Sequence, residues 1–389
     1  MLPVKKTPRL KVLRVVTVHE CVLWHLGKTL DELAIHFDVT VAGDGVSRYA
    51  DRFPGVAWED IPVPRKASPL QDLKCVLRIY SVCKRLRPDV VHSIMPKAGL
   101  ITAIAARAAG IKVRMHTFTG QVWDTKVGVS RAVYKWLDRL VVGLNSISLT
   151  DSPSQSQHLI EHGIGIDGQP LPVLGKGSLV GVDLDRFNAV SIRAKAQVTR
   201  STLGLTDEHF VVAFIARKSR DKGALDLLNA FSLARKGLPD MRLLFIGPDE
   251  SDGDLDRLRR DEPLLFEGVI ERGTVHNHEE YLLASDVLCL PSYREGFGSV
   301  VIDAAALGVP CVGSRIAGLV DSVDDGKTGL LHPPGDISRL AELLQQLQRD
   351  RDLLEQLSKQ ARERTRTHFS SVVMGRLLVD FYQTQLASK

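Results

Sequence analysis

Paired cysteines, long apolar runs and internal repeats are what this sequence lacks. Its 389 residues hold five cysteines, at 21, 75, 83, 289 and 311, an odd number with no CxxC pair. That excludes a disulfide framework, argues against a zinc site and fits a reducing cytoplasm, the expected location. No stretch of eighteen uninterrupted apolar residues exists, so no transmembrane helix is expected. The longest candidate, "GLITAIAARAAGIKV", is broken by Arg107. The N-terminal "MLPVKKTPRLKVLRVVTV" is basic but offers no small-residue cleavage site, and no signal peptide is expected. No GxGxxG follows its apolar run, which disfavours a nicotinamide dehydrogenase. The net charge of +5 suits an anionic ligand or membrane surface but falls short of a nucleic-acid footprint.

What is present is an alternation of strand and helix patterns, twice over. "LKVLRVVTV", "DVTVAGD", "DVVHSIM", "KVRMHTF" and "ISLTDS" read as strands, with helices over residues 70–86, 97–109 and 127–145. "HFVVAFIAR", "MRLLFIGP", "PLLFEGVI", "DVLCLPS" and "PCVGSR" repeat the scheme. These are continuous apolar runs, as in strands covered on both faces, and the alternation predicts parallel, doubly wound sheets. The fold class is therefore α/β, with two Rossmann-like domains over residues 1–180 and 181–368, joined within the Gly/Pro-rich segment 167–187. Such sheets bind ligands at the carboxyl ends of their strands, and two of them facing each other would leave a cleft. Residues 369–389 read as a terminal helix with an apolar stripe at 372, 373, 377, 378, 381 and 386, expected to pack back on the first domain.

The richest stretch is "SYREGFGSVVIDAAALGVPCV", residues 292–312. It leaves a strand, turns through Glu295-Gly296-Phe297-Gly298 and enters a helix near Ser299. A helix start has unpaired N–H groups and a partial positive charge, so phosphate can be held there. Asp303 lies about 6 Å along the helix, within reach of a ribose carried by that phosphate. Glu295 would sit beyond the phosphates. The same spacing also suits two solvated acids. A second segment, "FIARKSRDKG", puts Arg217, Lys218, Arg220 and Lys222 in one loop after a strand, where cations suit a diphosphate. In "RIAGLVDSVDDGKTGLL", Gly318 opens a short helix, a further place for backbone donors.

Together "ARKSRDKG", "LLFIGP", "ASDVLCLPSYREGFGSVVIDAAALGVPCV" and "GLLHPPGD" resemble the retaining glycosyltransferases of family four, which have the GT-B fold. "MPKAGLITAIAARAAG", "HTFTGQVW" and "GKGSLVGVDLDRF" resemble the branch that assembles capsule and O-antigen. The resemblance implies a hexosyltransferase moving a sugar from a nucleotide-diphosphate donor, UDP rather than GDP, to a polyprenyl-diphosphate-linked or glycan acceptor. It implies that Glu295 meets the transferred sugar, Asp303 the ribose, and Arg217 and Lys222 the diphosphate, with backbone donors around Gly298, Ser299 and Val300. The family has Glu where this chain has Asp303, one methylene shorter. No cofactor or metal is expected; "DGD" at 252–254 and "DLD" at 183–185 are chance triplets.

In the first domain, a family histidine that touches the sugar aligns with Thr119, and His116 three residues earlier is an alternative; a structural histidine at a strand end fits His116 equally. Lys97, at a strand-to-helix turn, and His19 and Glu20, after the first strand, are acceptor-side candidates. Two helices carry basic stripes, Lys74, Arg78 and Arg85 on one and Arg131, Lys135 and Arg139 on the other, with Trp136 and Leu140 beside the second. Each suits docking on anionic lipid at the inner membrane face, or a solvated surface. Two other classes share the architecture: a sugar-nucleotide epimerase and a non-catalytic sugar-nucleotide-binding partner.

Overall fold

A computed structural model describes residues 9–64, 68–166 and 168–388. The chain divides into two compact units, Val182–Ser370 and the remainder, in which the terminal segment Ser371–Lys389 joins the residues up to Gly181.

The first unit is built on six parallel strands: β1 (Lys11–Val18), β2 (Asp38–Asp44), β3 (Val56–Asp60), β4 (Val90–Ile94), β5 (Val113–Phe118) and β6 (Ile147–Thr150). The second has β7 (Phe210–Ile215), β8 (Met241–Ile246), β9 (Val269–Arg272), β10 (Val287–Leu290), β11 (Cys311–Ser314) and β12 (Gly329–His332), also parallel. The orders are β3-β2-β1-β4-β5-β6 and β12-β11-β10-β7-β8-β9. Read from opposite ends they are the same doubly wound topology. Each sheet reverses its winding once, between β1 and β4 and between β7 and β10, and the loops leaving those strands diverge around a crevice.

The central strands are apolar on both faces because helices cover both. Leu13 and Val15 of β1 face one layer with Ile79 and Ile101, while Val12 and Val16 face another with Leu30, Leu33 and Leu378. Two strands escape the pattern of the central ones: β3, "VAWED", and β12, "GLLH", are edge strands, and neither is expected from apolar runs. "PLLFEGVI" splits instead into a 3-10 turn at Pro263–Phe266 and the start of β9. All five cysteines are buried free thiols.

Helix Ser371–Ala387 belongs to the first unit. Its buried stripe is Met374, Leu378, Val379 and Tyr382, whereas Val372 points outward. Tyr382 reaches a buried polar chain. Arg14 Nη1 donates to its hydroxyl at 3.0 Å, which lies 2.6 Å from His92 Nδ1, and His92 Nε2 lies 2.7 Å from Thr117 Oγ1. Burial pushes the Tyr382 phenol up to about 12 and holds His92 well below the ordinary imidazole range. Tyr382 therefore donates to a neutral His92, which donates to Thr117. Among the described residues, no helix is long and apolar enough to cross a membrane.

Candidate functional site

The switch point of the second unit brings together the loops after β7 and β10. They touch at backbone level: a Cβ on Gly223, whose φ is +68°, would lie 2.0 Å from the Pro291 carbonyl oxygen. Only glycine fits there. The consequence is chemical. Lys222 Nζ donates to Glu295 Oε1 at 2.6 Å and to the Arg294 carbonyl at 3.3 Å, and Ser292 Oγ donates to the same Glu295 oxygen at 2.8 Å. Both members of the ion pair are largely buried. Gly318 presses on the other side of this loop; a Cβ there would lie 2.2 Å from the Gly296 carbonyl oxygen. Helix Ser299–Ala306 then begins at Gly298, with Ser299 and Val300 contributing the first N–H groups of its open end.

The loop after β7 does not present four cations to a ligand. Lys218 is 5% exposed, bonded to Glu271 at 3.1 Å and set over the Phe245 ring. Arg220 turns to Asp254 at 2.6 Å. Asp254, the last acid of the 252–254 triplet, also accepts from Arg257. Arg217 and Lys222 remain on the site, but the chain supplies their counter-charges. Arg217 binds Glu250 at 2.6 Å and Asp221 at 3.0 Å. The carboxyl of Asp221 is the hub: burial, the largest single influence, raises its pKa, but the Ser219 hydroxyl with Arg217, Lys222 and Arg294 outweighs it and holds the group below the usual carboxylate range. Asp221 and Arg294 were not singled out from the sequence, although both flank residues that were. An anion entering here would exchange with these carboxylates for the same cations.

Asp303 sits on the same helix as Ser299 and pairs with His278 Nε2 at 3.3 Å. His278 opens helix His278–Leu283 and rests against Phe187. Arg186 Nη2 lies 3.4 Å from its Nδ1. A carboxylate only accepts, so Nε2 carries the proton that reaches Asp303. This partner, 25 residues away in sequence, carried no local signal.

In the first unit, His19 and Glu20 follow β1 and Lys97 follows β4, so the switch point brings both segments to one end of the sheet. His19 contacts Glu20 at 3.4 Å and Arg48 at 2.7 Å; Lys97 is paired with Asp72 at 2.8 Å. Two residues before Lys97, Met95 holds a φ of +79°, an uncommon conformation for a non-glycine residue and one that clusters at functional sites. Thr119 lies in the loop after β5, its carbonyl accepting from Gln121. His116 is different. It is enclosed within β5, bonded to Ser93, with its ring beneath Gly99, where a Cβ would come within 2.4 Å of the imidazole. Burial lowers its pKa to about 3. Its place is that of a packing histidine, not one turned toward a ligand.

The two basic stripes also fare differently. Lys74 and Arg78 are exposed, and Arg85 binds Glu59 at 2.6 Å. On helix Gly128–Leu144, however, Arg131 and Lys135 lie over the buried Trp123 ring, and Arg139 donates to the His162 and Gly163 carbonyls. They form no outward stripe. Among the described residues no cluster of three or more His, Cys, Asp or Glu side chains is placed to hold a metal ion.

Comparison with known proteins agrees with this geometry. Residues 19–173 match the family model "Glycosyl transferase 4-like domain", and residues 196–364 match "Glycosyl transferases group 1". The chain is 27% identical to the capsular polysaccharide biosynthesis glycosyltransferase CapM of Staphylococcus aureus over 84% of each protein. It is 27% identical to the UDP-Gal:alpha-D-GlcNAc-diphosphoundecaprenol alpha-1,3-galactosyltransferase of Escherichia coli, covering 84% of this chain and 83% of that one. In fold it is similar to the sucrose-phosphate synthase of Thermosynechococcus elongatus (TM-score 0.80, 20% identity, 98% of this chain and 100% of that one). It is also similar to HepE of Anabaena, solved with UDP and glucose (TM-score 0.78, 18% identity, 97% and 100%). With two parallel sheets of the same winding and a matching domain in each half, the chain is a GT-B glycosyltransferase of the group 1 family, a hexosyltransferase.

Proposed function

We propose that this glycosyltransferase moves a hexosyl residue from a UDP-sugar to a polyprenyl-diphosphate-linked or glycan acceptor, with retention of anomeric configuration, in cell-envelope polysaccharide assembly. The observation that carries the reading is the Lys222–Glu295 pair at the β7/β10 switch point, between Arg217 and the open end of helix Ser299–Ala306. The relatives that act in capsule synthesis and on a diphosphoundecaprenol acceptor support the pathway and acceptor class, and the UDP complex of a protein of like fold supports the base.

In this reading the donor diphosphate takes Lys222 and Arg217 from their carboxylates. Glu295, held by Ser292, faces the transferred sugar, and Asp303, aimed by His278, receives the ribose hydroxyls. The bond that breaks joins the anomeric carbon to the diphosphate. Preorganised cations and N–H groups stabilise the charge that develops on the departing oxygen, the acceptor oxygen attacks from the same face, and its proton passes to the leaving phosphate. Those cations fill the role that a divalent ion has in other transferases. The acceptor meets the first unit at its own switch point, near His19, Glu20 and Lys97. A polyprenyl acceptor lies in a bilayer, so the enzyme works at the inner membrane face.

The test is incubation with a panel of UDP-sugars and a polyprenyl-diphosphate-linked saccharide, with the new linkage read by NMR. An α-linkage from an α-donor supports the proposal. Inversion contradicts the retaining chemistry. Conversion of the donor to another nucleotide sugar without acceptor would make the protein an epimerase.

A further inference from the structure

Helix Gly128–Leu144 buries Val141 and Val142 at one end but turns a second apolar face to solvent. Its cations face Trp123 and the His162–Gly163 backbone, while Val129, Val133 and Trp136, spaced i, i+4, i+7 on one face, are exposed. Val129 is 81% and Trp136 58% exposed. Val127, just before the helix, is exposed too. Helix Pro69–Leu86 shows a related face: Leu70, Leu73 and Leu77, spaced i, i+3, i+7, are all more than half exposed. Helix Pro96–Ala108 packs against both and adds an exposed Ile104. The three helices form one layer of the first unit, and nearly half of the large apolar side chains exposed among the described residues lie on it or at its edge. Scattered apolar residues need no explanation; a contiguous set on adjoining helices does.

Charge decides what covers the face. Lys74, Arg78, Lys84 and Arg107 are exposed on these helices, as is Arg85 beside its partner Glu59. Their only two acids, Asp72 and Asp138, are not: Asp72 is tied to Lys97, and Asp138 accepts from Trp123 Nε1 at 2.8 Å. Two copies meeting through this face would oppose cation to cation. An anionic bilayer offers acyl chain for the leucines, valines and tryptophan and phosphate for the lysines and arginines.

We infer that the outer face of helices Pro69–Leu86, Pro96–Ala108 and Gly128–Leu144 is a membrane-docking surface for anionic phospholipid, with Leu70, Leu73, Leu77, Val129, Val133 and Trp136 entering the headgroup–acyl boundary. The inference rests on the transferase reading for its purpose, not for its geometry.

The experiment is co-sedimentation of the full chain with vesicles of phosphatidylglycerol and phosphatidylethanolamine, against phosphatidylcholine alone. Wild type is expected to bind the anionic vesicles at least about tenfold more tightly, and added salt to weaken binding. The double variant Leu73→Glu, Trp136→Glu is expected to lose at least about tenfold in vesicle affinity while its unfolding temperature and UDP affinity stay unchanged. A reading independent of variant folding comes from vesicles with brominated acyl chains. They should quench wild-type tryptophan emission, and quench it less in Trp136→Phe. Equal binding by wild type and the double variant, no quenching difference, or a lipid-free dimer that Trp136→Glu dissociates would each overturn the inference. UDP binding on the same samples separates these failures from failure of the donor site.

Discussion

At the scale of single residues the proposed donor site is a set of exchangeable ion pairs. Lys222 holds Glu295, and Arg217 holds Asp221 and Glu250, so neither cation stands uncompensated. Removing Lys222 would cost the leaving diphosphate a charge-assisted donor and take from the largely buried Glu295 its Lys222 partner. Loss of one such donor typically raises the barrier by about 3 kcal/mol, roughly a hundredfold in rate. Lys222→Ala is expected to lose that much transfer, and Glu295→Ala most of it through the lost sugar contact, while circular dichroism reports an intact fold in both. Full activity in both would sink the assignment. Asp303 makes a narrower prediction. Because His278 fixes the Asp303 carboxylate and touches nothing assigned to the sugar, His278→Ala should raise KM for the donor about tenfold with kcat nearly kept. A loss confined to kcat would contradict the positioning role.

At the scale of elements, the terminal helix and helix Gly128–Leu144 make separate predictions. Tyr382→Phe leaves Arg14 and His92 without the hydroxyl that joins them. It should cost about 1–3 kcal/mol in urea unfolding, with no change in UDP affinity. Asp138 is the half-buried carboxyl that helix Gly128–Leu144 turns toward Trp123. Burial, opposed by the Trp123 hydrogen bond and reinforced by Asp124, raises its pKa from 3.8 to about 6. Between those values the folded state binds more protons than the unfolded one, so this group's contribution to stability falls as pH rises through the window. Asp138→Asn keeps an acceptor for Trp123 without the charge. It should be more stable than wild type at pH 7–8, on the order of 1–3 kcal/mol, and lose that advantage near pH 4. Equal pH profiles in urea melts would refute the shift.

The central strands were legible because burial on both faces leaves a continuous apolar run, as in "FVVAFI" and "MRLLFI". The edge strands β3 and β12 were not, since an edge can form without such a run, although β6 and the start of β9 at the opposite edges kept one. The cation stripe of helix Gly128–Leu144 misled for a specific reason. Periodicity places Arg131, Lys135 and Arg139 on a common side but cannot tell that Trp123, from the preceding turn, draws two of them inward. Arg217, Lys222 and Glu295, the residues on which the proposed donor site rests, stand out in the sequence as clusters. The carboxylates that neutralise them, and His278 behind Asp303, come together only through the sheet winding.

At the scale of the whole molecule, each unit carries the same winding and one switch point, and the chemistry differs with the loops placed there. The second unit gathers cations and an open helix end, as a diphosphate requires. The first gathers His19, Glu20, Arg48 and Lys97 beside the strained Met95. On the proposed function, the second unit binds a nucleoside diphosphate through protein cations alone. Calorimetry of UDP and GDP with wild type and Lys222→Ala, in EDTA, tests it most directly. Wild type is expected to bind UDP more tightly than GDP without metal, and Lys222→Ala to weaken UDP binding by about ten- to a hundredfold. Equal UDP affinity in the two proteins, or binding abolished by EDTA, would contradict it.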